Sequence, residues 1–146
     1  MICFLRPQSY GNPGGKITKK KALGVFSIGF SRPEPFLLGV LDSIPEGSGV
    51  YILSLRDQLH TYVNNQSSIV YIGLSKNLKN RVLVYLNGYA HTEDIKQFVK
   101  NNPLHIRYHK TSDHKAIEAR LIHDFVGIFE ELPLLNLLKP RMKMDK

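Results

Sequence analysis

Two short runs, 50–55 and 69–74, dense in β-branched, aromatic and aliphatic side chains, constrain this chain more than any other feature. Runs of that length and composition bounded by turn residues read as strands in a buried sheet. The polar stretch 56–68 between them makes the pair a hairpin with a long loop.

Beyond the hairpin the chain turns helical. Asn77 can cap a helix over 78–86, and Thr92 can cap another that stops near Asn101-Asn102-Pro103. Leu104, Ile106 and Tyr108 then alternate with His105, Arg107 and His109, as in a half-buried strand with one cationic face. A last long helix is expected over about 113–129, ending before Pro133.

Residues 1–41 differ from the rest. They hold Pro7, Pro13, Pro33, Pro35 and a Gly14-Gly15 pair, with six basic residues against the single acid Glu34. Five of the eight net positive charges therefore lie in a Pro/Gly-rich extension, expected to carry at most short strands around 24–30 and 36–40. The division expected is 1–41 as a basic extension and 42–146 as one compact domain, since 146 residues suffice for one good core but not two.

Charge narrows the partners. Lys and Arg outnumber Asp and Glu by 20 to 12, and a net charge of +8 on so small a body attracts polyanions, nucleic acid above all. An anionic membrane surface is the competitor, but no basic amphipathic helix supports it. The single Cys3 excludes an internal disulfide and every CxxC zinc site, which fits a reducing compartment. No apolar run approaches the roughly 20 residues of a membrane span, so a soluble, cytoplasmic protein is expected.

One phosphate-binding motif fails on inspection. Gly11-Asn12-Pro13-Gly14-Gly15-Lys16 has three residues where a P-loop has four, and Ile17 where it needs Ser or Thr.

The informative position is Glu118. At about 100° per residue, Ile117, Leu121, Ile122, Phe125, Ile128 and Phe129 fan over an arc of roughly 140° with Glu118 near its middle. An ionised carboxylate on an apolar face requires a cation close by. An ion pair with Arg81 or Arg107 and a bound metal both satisfy that requirement. Arg81 and Tyr85, four residues apart, share one face of the preceding helix, and Tyr51 and Tyr71 sit on the two hairpin strands.

In order along the chain these positions resemble the GIY-YIG nuclease family, which includes homing endonucleases, some restriction enzymes and the incision subunit of bacterial nucleotide excision repair. Ile44-Pro45 leads into Gly49-Val50-Tyr51, the first signature, and Val70-Tyr71-Ile72-Gly73 is the second. The segment from Leu74 through Lys76, Asn77 and Lys79 to Arg81 is similar to the family's loop-to-helix segment with its essential Arg. Glu118 and Asn136 match the metal-binding Glu and the terminal Asn, so that the resemblance covers about 43–140. Tyr85 stands where the repair-type members also carry Tyr and many others carry His; His91 is a candidate substitute.

The resemblance implies an α+β fold with a small three-stranded antiparallel sheet flanked by helices. It implies a DNA endonuclease in which Glu118 holds one Mg²⁺ or Mn²⁺, Tyr51 deprotonates or orients the attacking water with help from Tyr71, Arg81 clamps the scissile phosphate and Asn136 braces the site. Lys16, Lys19, Lys20, Lys21, Lys76, Lys79, His105, Arg107 and His109 are the expected nucleic-acid contacts. RNA is the alternative substrate, and a homodimer or a partner protein would supply specificity. The competing reading is a module of the same fold that binds nucleic acid without cutting it.

Overall fold

The computed structural model describes residues 29–89 and 92–138. Strand β1 covers Glu34–Pro35 and is followed by a 3-10 turn over Leu38–Asp42. Then come β2 (Gly49–Leu55), the two-residue strands β3 (His60–Thr61) and β4 (Gln66–Ser67), and β5 (Ile69–Ser75). Helices α1 (Leu78–Leu86) and α2 (Glu93–Asn101) precede β6 (Leu104–Lys110), and helices α3 (His114–Phe129) and α4 (Leu134–Leu138) complete the order. Asn77 and Thr92 do cap α1 and α2, their side chains accepting from the backbone N–H of Asn80 and Ile95.

The fold is α+β around an antiparallel sheet, with four strands rather than the expected three, in the order β1-β6-β2-β5. The extra strand is β1, which pairs Glu34 with Ile106 and Pro35 with His105. Without it β6 would be an open edge, and a proline-bearing strand ends the ladder because Pro35 has no N–H to offer a further strand. The strand expected over 36–40 is instead the 3-10 turn. Phe36 and Val40 are both buried while Leu37 and Leu38 between them are 59% and 63% exposed. A strand that buried Phe36 and Val40 would bury Leu38 on the same face, and the exposure of Leu38 breaks that alternation. Thus part of the expected extension joins the sheet and core, whereas Lys16, Lys19, Lys20, Lys21 and most of the strand expected over 24–30 lie outside the described residues.

β2 runs through the middle of the sheet and is buried along its whole length. Its alternation separates two cores. Tyr51, Leu53 and Leu55 face Leu78, Val82 and Tyr85 of α1, Ile95 of α2 and Leu135 of α4. Val50 and Ile52 face Leu121, Phe125, Ile128 and Phe129 of α3. A register shift between Leu53 and Ser54 lets both Val70 and Tyr71 of β5 turn into the first core. The sheet is therefore a partition, with α1 and α2 on one side and α3 on the other.

The long loop is a structural brace. Tyr62, at the end of β3, donates to the Ile69 carbonyl at 2.7 Å and accepts from the Leu134 N–H at 3.0 Å. Asn64 Nδ2 donates to Ile128 O, and Asn64 N to Phe129 O, so the loop caps carbonyls that the end of α3 leaves unpaired. Val63 N donates to the Glu131 carboxylate just beyond. The hairpin thus fixes where α3 stops and where α4 begins.

Candidate active site

The phenols of Tyr51 (β2), Tyr71 (β5) and Tyr85 (α1) are brought together by the sheet and the helix after it. Tyr51 and Tyr71 are neighbours on one face, their ring centroids 5.7 Å apart. Tyr85 meets Tyr51 edge-on at 6.3 Å, with the two hydroxyls 3.4 Å apart. All three rings are buried, at 1%, 2% and 4% exposure.

Two glycines make this packing possible. Gly73 is the cross-strand partner of Tyr51, and a Cβ there would stand 2.7 Å from Tyr51 Cζ and 2.5 Å from Tyr71 Cε2. Gly49 is equally constrained, since its Cβ would meet the His109 carbonyl oxygen at 2.4 Å and Leu78 Cδ1 at 2.6 Å. Both belong to the signatures, yet sequence reasoning gave neither a role; their positions opposite an aromatic and beneath a helix were the missing signal.

Burial dominates the electrostatics of the cluster. It pushes the Tyr51 and Tyr71 phenols well above the usual tyrosine value, because a phenolate would be stranded away from water; Tyr71 and Tyr85 add to the rise at Tyr51 and Tyr85 to that at Tyr71, where the hydrogen bond with Tyr51 acts the other way. Arg81 acts in the opposite sense on both. It lies one turn before Tyr85 on α1 and is half-buried, so the positive charge that acts on the closed phenol cluster is itself partly open to solvent. Among the described residues it makes no salt bridge. A cation of this kind, set beside buried hydroxyls, is suited to a phosphate.

Asn136 reaches the same strand from its open edge. Its Oδ1 accepts from Ile72 N at 3.0 Å and its Nδ2 donates to Ile72 O at 2.9 Å, so one amide side chain pairs with β5 as a further strand would. Ile72 lies between Tyr71 and Gly73, and Asn136 therefore holds the backbone that carries them.

Glu118 comes from the other layer. It is half-buried in the second turn of α3, on the side of the helix that carries Leu121, Ile122 and Phe125. The starts of α1 and α3 nevertheless lie at one end of the sheet. There Gly49 pairs with both Ser75 and Lys110, Leu78 N donates to Gly47 O and Thr111 N to Ser48 O. Lys76, Lys79 and Lys110 carry charge at that end, which both helix N-termini make more positive.

The cationic face of β6 is partly covered. Arg107 is 9% exposed, and its Nε donates to Ser31 O at 3.1 Å. His109 packs against Phe30 with ring centroids 5.5 Å apart. Burial, then nearby Arg56, lowers the His105 pKa, which disfavours its cationic form. The alternation on β6 predicts a face but not the segment 29–31 laid over it. His91 lies outside the described residues.

No family model matches the chain, and no solved structure matches it. Over 64 residues, 44% of its length, the chain is 38% identical to the UvrABC system protein C of Fusobacterium nucleatum subsp. nucleatum. The similarity spans 9% of that protein's length. Among the described residues no helix is long and apolar enough to cross a membrane.

Proposed function

We propose that this protein is a divalent-metal-dependent endonuclease that hydrolyses DNA phosphodiester bonds. The observation that carries the reading is the convergence of the Tyr51, Tyr71 and Tyr85 phenols from three elements beside the guanidinium of Arg81. The short similarity to a UvrABC system protein C supports a nuclease and DNA as its substrate.

The donor set fits the metal this reading requires. A half-buried carboxylate at Glu118 offers hard oxygen and leaves the remaining positions to water and phosphate, as Mg²⁺ and Mn²⁺ demand. When bound, the ion supplies Lewis-acid stabilisation of charge on the phosphate and the leaving oxygen. The protein's own groups do the rest. Arg81 grips two phosphate oxygens with its planar fork. Tyr51 and Tyr71, protonated because burial raises both, orient the attacking water as hydrogen-bond donors rather than removing its proton at neutral pH. Asn136 keeps β5 fixed so that the two rings hold their register.

A cleavage panel over supercoiled, branched and single-stranded DNA with Mg²⁺ and Mn²⁺ tests the proposal. Nicking is expected, reduced on the order of 10²-fold or more in Arg81→Ala, the scale typical of losing a group that stabilises transition-state charge. Cleavage indifferent to Arg81 would overturn the assignment. The closed packing of the phenols also favours a second reading, a binding module without hydrolysis. Salt-sensitive DNA binding with no cleavage of any substrate would select it.

A further inference from the structure

His114 is the first residue of α3, one helical turn before Glu118. Residues four apart lie on one helix face with Cβ atoms about 5–6 Å apart. The burial pattern agrees, since His114 and Glu118 are both half-buried while Lys115, Ala116, Ala119 and Arg120 are exposed. Only imidazole Nδ1 has a partner. It lies 3.4 Å from the Ser112 carbonyl, and since a carbonyl can only accept, the proton of the neutral ring is on Nδ1. That leaves the Nε2 lone pair, and Nε2 is buried with no hydrogen-bond partner. A buried polar atom without a partner is costly in a folded protein and calls for a ligand. An imidazole that gives one N–H to a backbone carbonyl and keeps the other nitrogen bare has the arrangement usual in metal-bound histidines.

We propose that Nε2 of His114 is a second protein ligand to the divalent cation held by Glu118, an inference that rests on the nuclease reading above. One carboxylate oxygen and one imidazole nitrogen leave the other coordination positions to water and phosphate. The pair changes which ion is preferred. Mg²⁺ favours an all-oxygen shell, whereas Mn²⁺ and the later first-row ions accept nitrogen more readily. The site is therefore selective for Mn²⁺ over Mg²⁺, and His114 is the source of that selectivity.

The test is Mn²⁺ and Mg²⁺ binding to the full chain by calorimetry, with pulsed electron paramagnetic resonance of the Mn²⁺-loaded protein to detect a directly bound imidazole nitrogen. Wild type is expected to bind one Mn²⁺ with nitrogen coupling. His114→Gln should abolish the coupling and weaken Mn²⁺ on the order of tenfold. Because the Gln carbonyl is an oxygen donor, Mg²⁺ should change little, so the preference collapses. His114→Asn repeats the comparison if the Gln variant does not fold, and the resonance of wild type needs no variant. Mn²⁺ that depends on Glu118 but shows no nitrogen coupling, or coupling that survives loss of His114, would overturn this proposal while leaving the nuclease reading intact. Mn²⁺ binding unaffected by Glu118→Gln, or none in wild type, would overturn both.

Discussion

Gly73 lies beneath the ring of Tyr51, its partner across the β2–β5 ladder, and the space a Cβ would need there is already taken by Tyr51 and Tyr71. The second signature glycine is thus the floor on which two candidate catalytic rings rest. In Gly73→Ala the rings must move in a closed core, and overpacking of this kind costs about 1–3 kcal/mol. Stability in urea unfolding should fall by that amount, and cleavage should fall further than stability, because the Tyr51 and Tyr85 hydroxyls lose their register. A variant with native stability and full activity would show that the rings have room to yield.

The phenols also set a pH dependence. Tyr51, Tyr62 and Tyr71 all have raised pKa values in the folded protein, with burial the largest cause in each. A raised phenol binds its proton more tightly folded than unfolded, so its contribution is complete below about pH 10, the unfolded value, and is lost above it. Stability should be level on the alkaline side up to that point and then fall. In a titration followed by phenolate absorbance, these three of the seven tyrosines should ionise only as the protein unfolds. Smooth ionisation of all seven in a folded protein would contradict the closed cluster.

Asn136 separates bracing from bulk packing. Asn136→Asp keeps the size and one acceptor but cannot donate to Ile72 O, leaving a buried carbonyl unpaired at about 1–3 kcal/mol. Asn136→Ala removes both bonds and should cost more. If Asp and Ala prove equally mild in urea unfolding, the amide pairing contributes nothing.

Much of this architecture was legible in sequence, and the parts that were not share a cause. Helix α1 carries its own cap at Asn77, and the helix expected over 113–129 is observed over His114–Phe129, because each records its boundaries in local chemistry. β1 and α4 do not. A two-residue strand exists only because β6 offers an edge, and α4 only because Tyr62 and the β5 edge receive Leu134 and Asn136. Within the site, helical spacing put Arg81 and Tyr85 on one face, but the contact of Tyr85 with Tyr51 spans 34 positions and depends on how α1 folds back on the sheet. The phase of Glu118 was readable, whereas its layer depends on the side of the sheet that α3 takes.

The brace formed by the long loop has its own test. Tyr62→Phe removes the hydroxyl that both donates to Ile69 O and receives Leu134 N. The buried Ile69 carbonyl and the partly buried Leu134 N–H lose a partner, at about 1–3 kcal/mol each if water does not replace it. The loss should appear as faster hydrogen exchange at Leu134 and in α4 before the rest of the fold is affected. Uniform exchange across the protein would deny the loop this local role.

On the proposed nuclease reading, hydrolysis depends on a metal held by Glu118. It is tested most directly by nicking of supercoiled plasmid with Mg²⁺ or Mn²⁺ by the wild type and by Glu118→Gln, each with and without EDTA. Wild-type nicking should cease with EDTA and return with excess metal, and Glu118→Gln, folded and still binding DNA, should nick at background under every condition. Nicking that persists in Glu118→Gln or in EDTA contradicts the account.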